Sequence, residues 1–417
     1  MSDDHTRAHE HAVPMREARS GPLSDVKVID FTRALSGPYC TMILGDMGAD
    51  VIKVETLPDG DNIRALGPFT DDDDEKHFGG YFASVNRNKR GVAVDTSDPD
   101  QVERIRRLVD SADVVVENFR PGVMEALGFG YEALAARNPA LVYVAIRGFG
   151  DPRTGESPYS NWPTYDIVAQ SMGGVVSTTG TVAGEHVAAG PSIGDIFPAA
   201  MASTATLGAL HHARRTGQGQ FVDVAMIDAV MAMSESMMWR YSYAGQVQPP
   251  RGTEHPSLCP FAIYETGDGS VAIAAVTDRH WETLCEIIER PELANDERMN
   301  SQHARVAHRE LVREAIERWA TKYTTAEVVD ALAGRVAVGP VNNAPDLVAS
   351  PHVAAREMLV AMDHPGVGRK LVQPNTPLRF ATTPGGVHRR APMLGEHNDE
   401  VFAELDDERG TSPEGQP

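Results

Sequence analysis

Among the residues whose types could do chemistry is a carboxylate at the start of a long helical pattern. Asp195 sits in Pro191-Ser192-Ile193-Gly194-Asp195-Ile196, a run of small residues leading into the Ala-rich segment from Ile196 to His212. That segment reads as a long helix with Pro198 near its start. On local grounds Asp195 is then a helix N-cap, the common job of an aspartate at such a boundary. The two roles are compatible. Orphan N–H groups and the helix dipole hold a carboxylate ionised, each by about 1 kcal/mol, and the ionised form is the nucleophile.

Other chemistry-bearing residues are scattered. Lys89, Arg90 and Arg120 are cations that could meet phosphate, although a solvated charged loop fits Lys89 and Arg90 as well. Gly173-Gly174 lies in a polar, glycine-rich passage that fits either a lid or an ordinary mobile loop. Arg251 and His255, within Pro249 to Pro256, could meet a substrate carboxylate, and a linker role fits equally. The acidic block Asp71 to Glu75 reads as a solvated surface loop, since adjacent carboxylates repel and no ligand spacing flanks them.

These residues need elements to position them. From Val26 to Gly148, short β-branched runs alternate with helical patterns, the sign of βαβ units around a buried parallel sheet. Strands are expected at Val26 to Asp30, Val51 to Val54, Gly91 to Val94, Val114 to Glu117 and Leu141 to Ile146, with another at Phe221 to Ala225. A helix fits between Pro38 and Gly48, with Tyr39, Met42, Ile43 and Met47 at helical spacing. After the prolines of 249–260, Ile263 to Glu265 and Val271 to Ile273 flank Thr266 to Gly269 as a hairpin. Two amphipathic helices follow, one capped by Asp278 and one from Arg305 to Trp319. The expected organisation is a disordered leader at 1–22, a large α/β domain at 23–228, a linker and smaller α+β domain at 229–335, a return segment at 336–408 and a disordered tail at 409–417.

Composition narrows the function. The chain has 417 residues, 41% hydrophobic and 23% charged, within the ordinary globular range. No apolar run reads as long enough to span a membrane, and the leader lacks the apolar segment of a secretory signal, so the expected location is the cytoplasm. A net charge of -21 argues against nucleic acid as a partner. Cys40, Cys259 and Cys285 are too far apart for a disulfide framework or a zinc site. The first βα turn, Thr32 to Pro38, lacks the glycine spacing of a dinucleotide fingerprint. Neither a phosphate-binding P-loop, a zinc-protease His-Glu-x-x-His nor a Gly-x-Ser-x-Gly elbow occurs.

What the chain does carry is a set of segments in a particular order. Asp30-Phe31-Thr32, Ser36-Gly37-Pro38, Gly48 to Glu55, Gly60-Asp61, Asn86-Arg87-Asn88-Lys89-Arg90, Ala112 to Gly122, Thr216 to Gln220 and Ala391 to His397 together resemble the family III CoA-transferases. That group also contains the 2-methylacyl-CoA racemases. The resemblance implies a Rossmann-like α/β large domain with a parallel sheet, a smaller α+β domain and an interlocked homodimer. It makes Asp195 the nucleophile of CoA transfer through mixed anhydrides and an aspartyl-CoA thioester. Coenzyme A and acyl-CoA enter as substrates, with no permanently bound cofactor, no metal and no membrane partner implied.

Positions matching the family's CoA-binding segments are Leu35, Ser36, Thr56, Val94, Asp95, Thr96, Ser97, Asn118, Phe119 and Arg120, to which Lys89, Arg90 and Tyr165 are added. The matched segments follow strand ends, where open parallel sheets bind ligands. The chain departs from its relatives at Thr56 and Ala126, where arginines are common, and at Tyr165, where racemases carry a histidine beside Asp166. A phenol titrates near pH ~10 and is a weak base at neutral pH, so transfer is preferred over racemisation. The multi-glycine flap of formyl-CoA transferases is missing, and a dicarboxylate suits the acid partner. An intramolecular CoA-shifting mutase and a non-catalytic binding module remain as alternatives.

Overall fold

The computed structural model describes residues 9–73, 76, 78–365 and 370–410. The chain divides into two compact units. The first comprises residues 1–175, 189–239 and 348–417; the second comprises 176–188 and 240–347. The large unit thus runs on to Trp239, past the expected boundary at 228, and the return begins at Val348, beyond 336.

Six parallel strands form the sheet of the first unit. They are β1 (Lys27–Asp30), β2 (Asp50–Thr56), β3 (Lys89–Val94), β4 (Val114–Glu117), β5 (Val142–Arg147) and β6 (Gln220–Ala225), in spatial order β3-β2-β1-β4-β5-β6. Every strand of β3, β4 and β5 is buried along its whole length, which explains the unbroken apolar runs that mark them. The strand order reverses between β1 and β4. At such a point the loops leaving neighbouring strands diverge to opposite faces and leave a crevice at the carboxyl edge.

Four helices bear on that crevice: α1 (Ser36–Asp46), α2 (Asp166–Met172), α3 (Ile193–Thr216) and α4 (Met226–Met233). Among the described residues α3 is the one helix long and apolar enough to cross a membrane by length and composition. This differs from the expectation of no such run. Its apolarity has a packing cause, since Ala199, Ala202, Ala209 and Ala213 are buried in one core with Val142, Val144 and Val222 of the sheet. Alanines let the helix approach α1 and the sheet closely. The helix begins at Ile193, earlier than expected, so Pro198 falls in its interior and removes the N–H that would bond the Gly194 carbonyl.

The leader is a correction. Val13–Pro14 pairs in parallel with Val360 and Ala361, and the Arg16 N–H bonds to the Val387 carbonyl, so this part of 1–22 is built into a small sheet. Residues 1–8 lie outside the described residues, as do 411–417 and the Asp74 and Glu75 of the acidic block. The expected tail begins inside a helix, Asn398–Gly410, whose Val401, Phe402 and Leu405 pack into the core beside β3 and β4.

The second unit holds an antiparallel sheet of β7 (Phe261–Glu265), β8 (Ser270–Ala274) and β9 (Ala337–Pro340), with β8 central. β7 and β8 form the expected hairpin. The amphipathic segment after Ser301 is two helices, Gln302–Ala307 and Arg309–Ala320, broken at His308. Trp281, Leu284, Ile316 and Val328 close its core around the fully buried Arg305, which donates to the carbonyls of Cys259 and Met299 and to Asp278.

Candidate active site

The crevice at the strand-order reversal is a cavity of about 620 Å³ whose wall includes Arg33, Ser36, Asn118, Arg120, Tyr165 and Asp195. The loop after β1 lines it from Arg33 to Ser36, and its backbone is held at Thr32, Arg33 and Ala34. Asp30 accepts from the Thr32 N–H at 2.8 Å, and Lys53 donates to the Thr32 carbonyl at 2.7 Å. The Asn118 side chain grips Arg33 twice, accepting from its N–H at 2.9 Å and donating to its carbonyl at 2.8 Å. Ala34 adopts a left-handed φ of 62° and its N–H donates to Asp61 at 3.2 Å. A non-glycine there stores on the order of ~1 kcal/mol of strain, which the surrounding bonds offset. Gly37 lets α1 start this close: a Cβ on it would stand 2.3 Å from the Thr32 Cβ.

Beneath that loop lies a fully buried ionic lattice. Lys89 donates to Asp30 at 2.9 Å, to the Pro38 carbonyl and to Asn86, and Lys53 pairs with Asp61 at 3.1 Å. Burial alone would raise the Asp30 carboxyl, but Lys89, Lys53 and the hydroxyls of Thr32 and Thr41 outweigh it and hold it at about 2. Arg90 is likewise occupied, bonded to Asp50, Glu400 and Glu404. Lys89 and Arg90 are therefore corrected from CoA contacts to structural cations. Both sit within β3, where a charge is tolerated only with partners.

Asp195 lies in the first turn of α3, and the cap position belongs to Ser192. The N-cap reading is corrected by three residues. Gly194 makes the approach of α2 possible, since a Cβ on it would meet the Asp166 carbonyl at 2.5 Å, and its N–H donates to the Asp166 carboxylate at 2.8 Å. Asp166 also accepts twice from Gln170, at 3.1 and 2.9 Å. Burial, and then the Asp166 charge, push the Asp195 carboxyl up to about 7, against a hydrogen bond from Ser36 that lowers it. The direction is opposite to the one expected from the orphan N–H groups and the helix dipole alone. Tyr81 lines the same wall, its phenol raised by burial and by Asp195, Asp166 and Asp61.

The structure brings Leu35, Ser36, Asn118, Phe119, Arg120, Tyr165 and Asp195 to one cavity. Arg120 and Tyr165 are exposed there, Tyr165 by 69%. Thr56 ends β2 outside the cavity lining, and its hydroxyl accepts from Arg33 at 3.0 Å, so a guanidinium stands beside this position after all. Val94 is buried, while Asp95, Thr96 and Ser97 form an exposed turn in which Ser97 bonds to Asp95, outside the cavity lining. Gly173 caps α2 in tight packing, a Cβ there meeting Val230 at 2.5 Å, which accounts for the glycine without a lid. Arg251 and His255 belong to the second unit. The His255 ring packs on Phe261 and accepts from the Ser257 N–H.

Several lining residues went unread in the sequence. Arg147, at the end of β5, is buried with Glu117 and Asp151 and donates to the Phe119 carbonyl at 3.1 Å, which fixes the Asn118 to Arg120 loop. Burial raises Glu117 to about 7 against the pull of Arg147 and the Phe119 N–H. Its place at a strand end was the available signal. Arg33 shared that signal, standing in the first βα turn beside Leu35 and Ser36, whereas Tyr81 had none.

A carboxylate ionising near neutrality, half-withdrawn from water beside an ordered loop, can attack a carbonyl without a separate base. The family model for CoA-transferase family III matches residues 23–398. Over 395 residues the chain is 45% identical to the succinyl-CoA:mesaconate CoA-transferase of Haloarcula hispanica, covering 94% of this chain and 98% of that protein. It is 37% identical over 405 residues to a succinate–glutarate CoA-transferase of Agrobacterium fabrum, covering 95% and 98%. A solved CaiB/BaiF family protein from Brucella suis matches with a TM-score of 0.83 at 34% identity over 93% of this chain and 100% of that one. With its fold, its cavity and its sequence in agreement, the chain belongs to the family III CoA-transferases.

Proposed function

We propose that this enzyme moves CoA from succinyl-CoA to a short unsaturated or branched dicarboxylate of the mesaconate type, with Asp195 as nucleophile. Transfer of CoA between an acyl-CoA and a dicarboxylic acid is the activity its relatives share by name. The observation that carries the Asp195 assignment is its place on the wall of the 620 Å³ cavity with Ser36 and Tyr165, where burial and Asp166 raise its carboxyl to about 7.

The steps balance without a proton donor. The Asp195 carboxylate attacks the succinyl-CoA carbonyl, the C–S bond breaks, and a succinyl-aspartyl anhydride and CoA thiolate form. The thiolate attacks the aspartyl carbonyl and expels succinate, leaving the aspartyl-CoA thioester. The acceptor carboxylate then attacks that thioester, giving a second anhydride and thiolate again. Attack of the thiolate on the acceptor carbonyl releases the new thioester and the free Asp195 carboxylate. Thioester is exchanged for thioester, so the free energies nearly cancel. Desolvation makes Asp195 a stronger nucleophile than an exposed carboxylate while keeping it ionised in a useful fraction at neutral pH.

Leu35, Asn118, Phe119 and Arg120 are the proposed CoA contacts, with Arg120 toward phosphate. We further propose that the protein works in the cytoplasm as a homodimer, a state that sedimentation across a dilution series reads directly. Mass spectrometry over a panel of acyl-CoA donors and carboxylate acceptors tests the function. Succinyl-CoA with mesaconate should yield mesaconyl-CoA, and failure with every dicarboxylate would sink the proposal.

A further inference from the structure

Two arginines of the cavity wall, Arg33 and the exposed Arg120, stand apart from the paired arginines around them, and of the two Arg33 is the one held in place. Arg64 is paired with Glu55, Arg87 with Asp46, Arg90 with Asp50 and Arg147 with Glu117. Among the described residues Arg33 has no carboxylate partner. Its Nη2 donates to the Thr56 hydroxyl at 3.0 Å, and its guanidinium lies 5.5 Å from the centre of the Phe119 ring. Its backbone is clamped on both sides by Asn118. A guanidinium has five N–H donors, and this one is held rigid on a cavity wall with most of them uncommitted. In a chain of net charge -21, a half-buried cation without a counter-charge is arranged to receive an anion.

Two kinds of anion enter the reaction, the phosphates of CoA and the carboxylates of the acids. The phosphates fit better here. The guanidinium is turned toward Thr56 at the end of β2, whereas Ser36, which lines the cavity with Asp195, lies beyond the left-handed turn at Ala34. The aromatic face of Phe119 beneath the cation offers nothing to a small dicarboxylate, but an aromatic face beside an arginine suits a nucleotide. We propose that Arg33 is a second phosphate anchor of this site beside Arg120, gripping the diphosphate or the 3′-phosphate of the CoA thioester. The proposal rests on the CoA-transferase reading and adds to that site a pre-positioned phosphate-holding residue. Thr56 and Phe119 act as braces that keep the guanidinium in place before the ligand arrives, which limits the ordering entropy lost on binding.

The test is calorimetric binding of CoA, 3′-dephospho-CoA and pantetheine to the wild-type enzyme and to Arg33→Gln. Loss of a charge-assisted bidentate contact should weaken CoA about 10- to 100-fold. Pantetheine, which has no phosphate, should bind both proteins equally. If 3′-dephospho-CoA suffers the same loss as CoA, the diphosphate is held; if its loss disappears, the 3′-phosphate is held. Equal weakening of CoA and pantetheine, or none for CoA, overturns the proposal. So does a rise in the KM of the acid acceptor with CoA binding intact, which would make Arg33 a carboxylate anchor. Should Arg33→Gln not fold, Arg33→Lys keeps the charge and loses the fork, and the same ratio of CoA to pantetheine loss is read on it. Binding is measured without turnover, so a wild type that binds CoA but transfers nothing contradicts the function alone.

Discussion

Asp30 and Asp195 are two sheltered aspartates of one domain, and their surroundings drive them in opposite directions. Asp30 is wholly buried yet held at about 2, because two lysines and two hydroxyls face it. Asp195 keeps some contact with the cavity but is raised to about 7, by burial first and then by the like-signed Asp166, with the Ser36 hydroxyl alone pulling the other way. Burial is a penalty for both. What separates a structural carboxylate from a reactive one is the sign of the charge beside it.

The largest test of this contrast is Asp195→Ala. Removal of the nucleophile should lower transfer at least about 1,000-fold, read as mesaconyl-CoA formation, while the protein stays folded. Lys89→Met is the counterpart at the other aspartate. It takes from the buried Asp30 its ion-pair partner, leaving the two hydroxyls and the Lys53 charge, and chemical denaturation should show a loss of about 3 kcal/mol. A small loss would mean that water reaches Asp30.

The sign of the pH dependence of stability sharpens the comparison further. The folded pKa of Asp195 is raised, so its contribution favours folding at low pH and is lost as pH rises through about 7. Asp195→Asn should therefore stabilise the fold at pH 8 by up to a few kcal/mol on the order-of-magnitude scale of its shift, and by little at pH 5. For Asp30 the folded pKa is depressed, so its stabilising contribution is present above the ordinary aspartate range and lost as pH falls toward about 2. Melting temperatures of wild type and Asp195→Asn across pH 5 to 8 read the first behaviour, and those of Asp195→Asn from pH 5 down to pH 2 include the loss at Asp30.

The smallest expected effect is the most specific. Asp166→Asn removes the like charge and should move the acidic limb of kcat/KM for the acyl-CoA about one pH unit lower. An unmoved limb would assign the Asp195 shift to burial alone.

Much of this arrangement was legible before any coordinates. β-Branched runs located all six strands of the large sheet within a few residues, because strands buried on both faces leave no polar alternation to misread. The stretch around Asp195 and the strand-end segments at Ser36 and Asn118 led to the cavity. Lys89 and Arg90 misled because a basic cluster looks the same whether it meets phosphate or carboxylate. Their partners Asp30 and Glu400 lie 59 and 310 residues away, and no local pattern announces them. The shift of Asp195 was hidden for the same reason. It depends on α2 delivering Asp166 to the start of α3, a tertiary approach that Gly194 permits but does not advertise.

The most direct measurement is covalent. The enzyme is incubated with succinyl-CoA without acceptor, treated with borohydride or hydroxylamine, digested and mapped by mass spectrometry. The account predicts reduction or hydroxamate formation at Asp195, absent in Asp195→Ala. A modification on any other residue, or full turnover with Asp195 never modified, would contradict it.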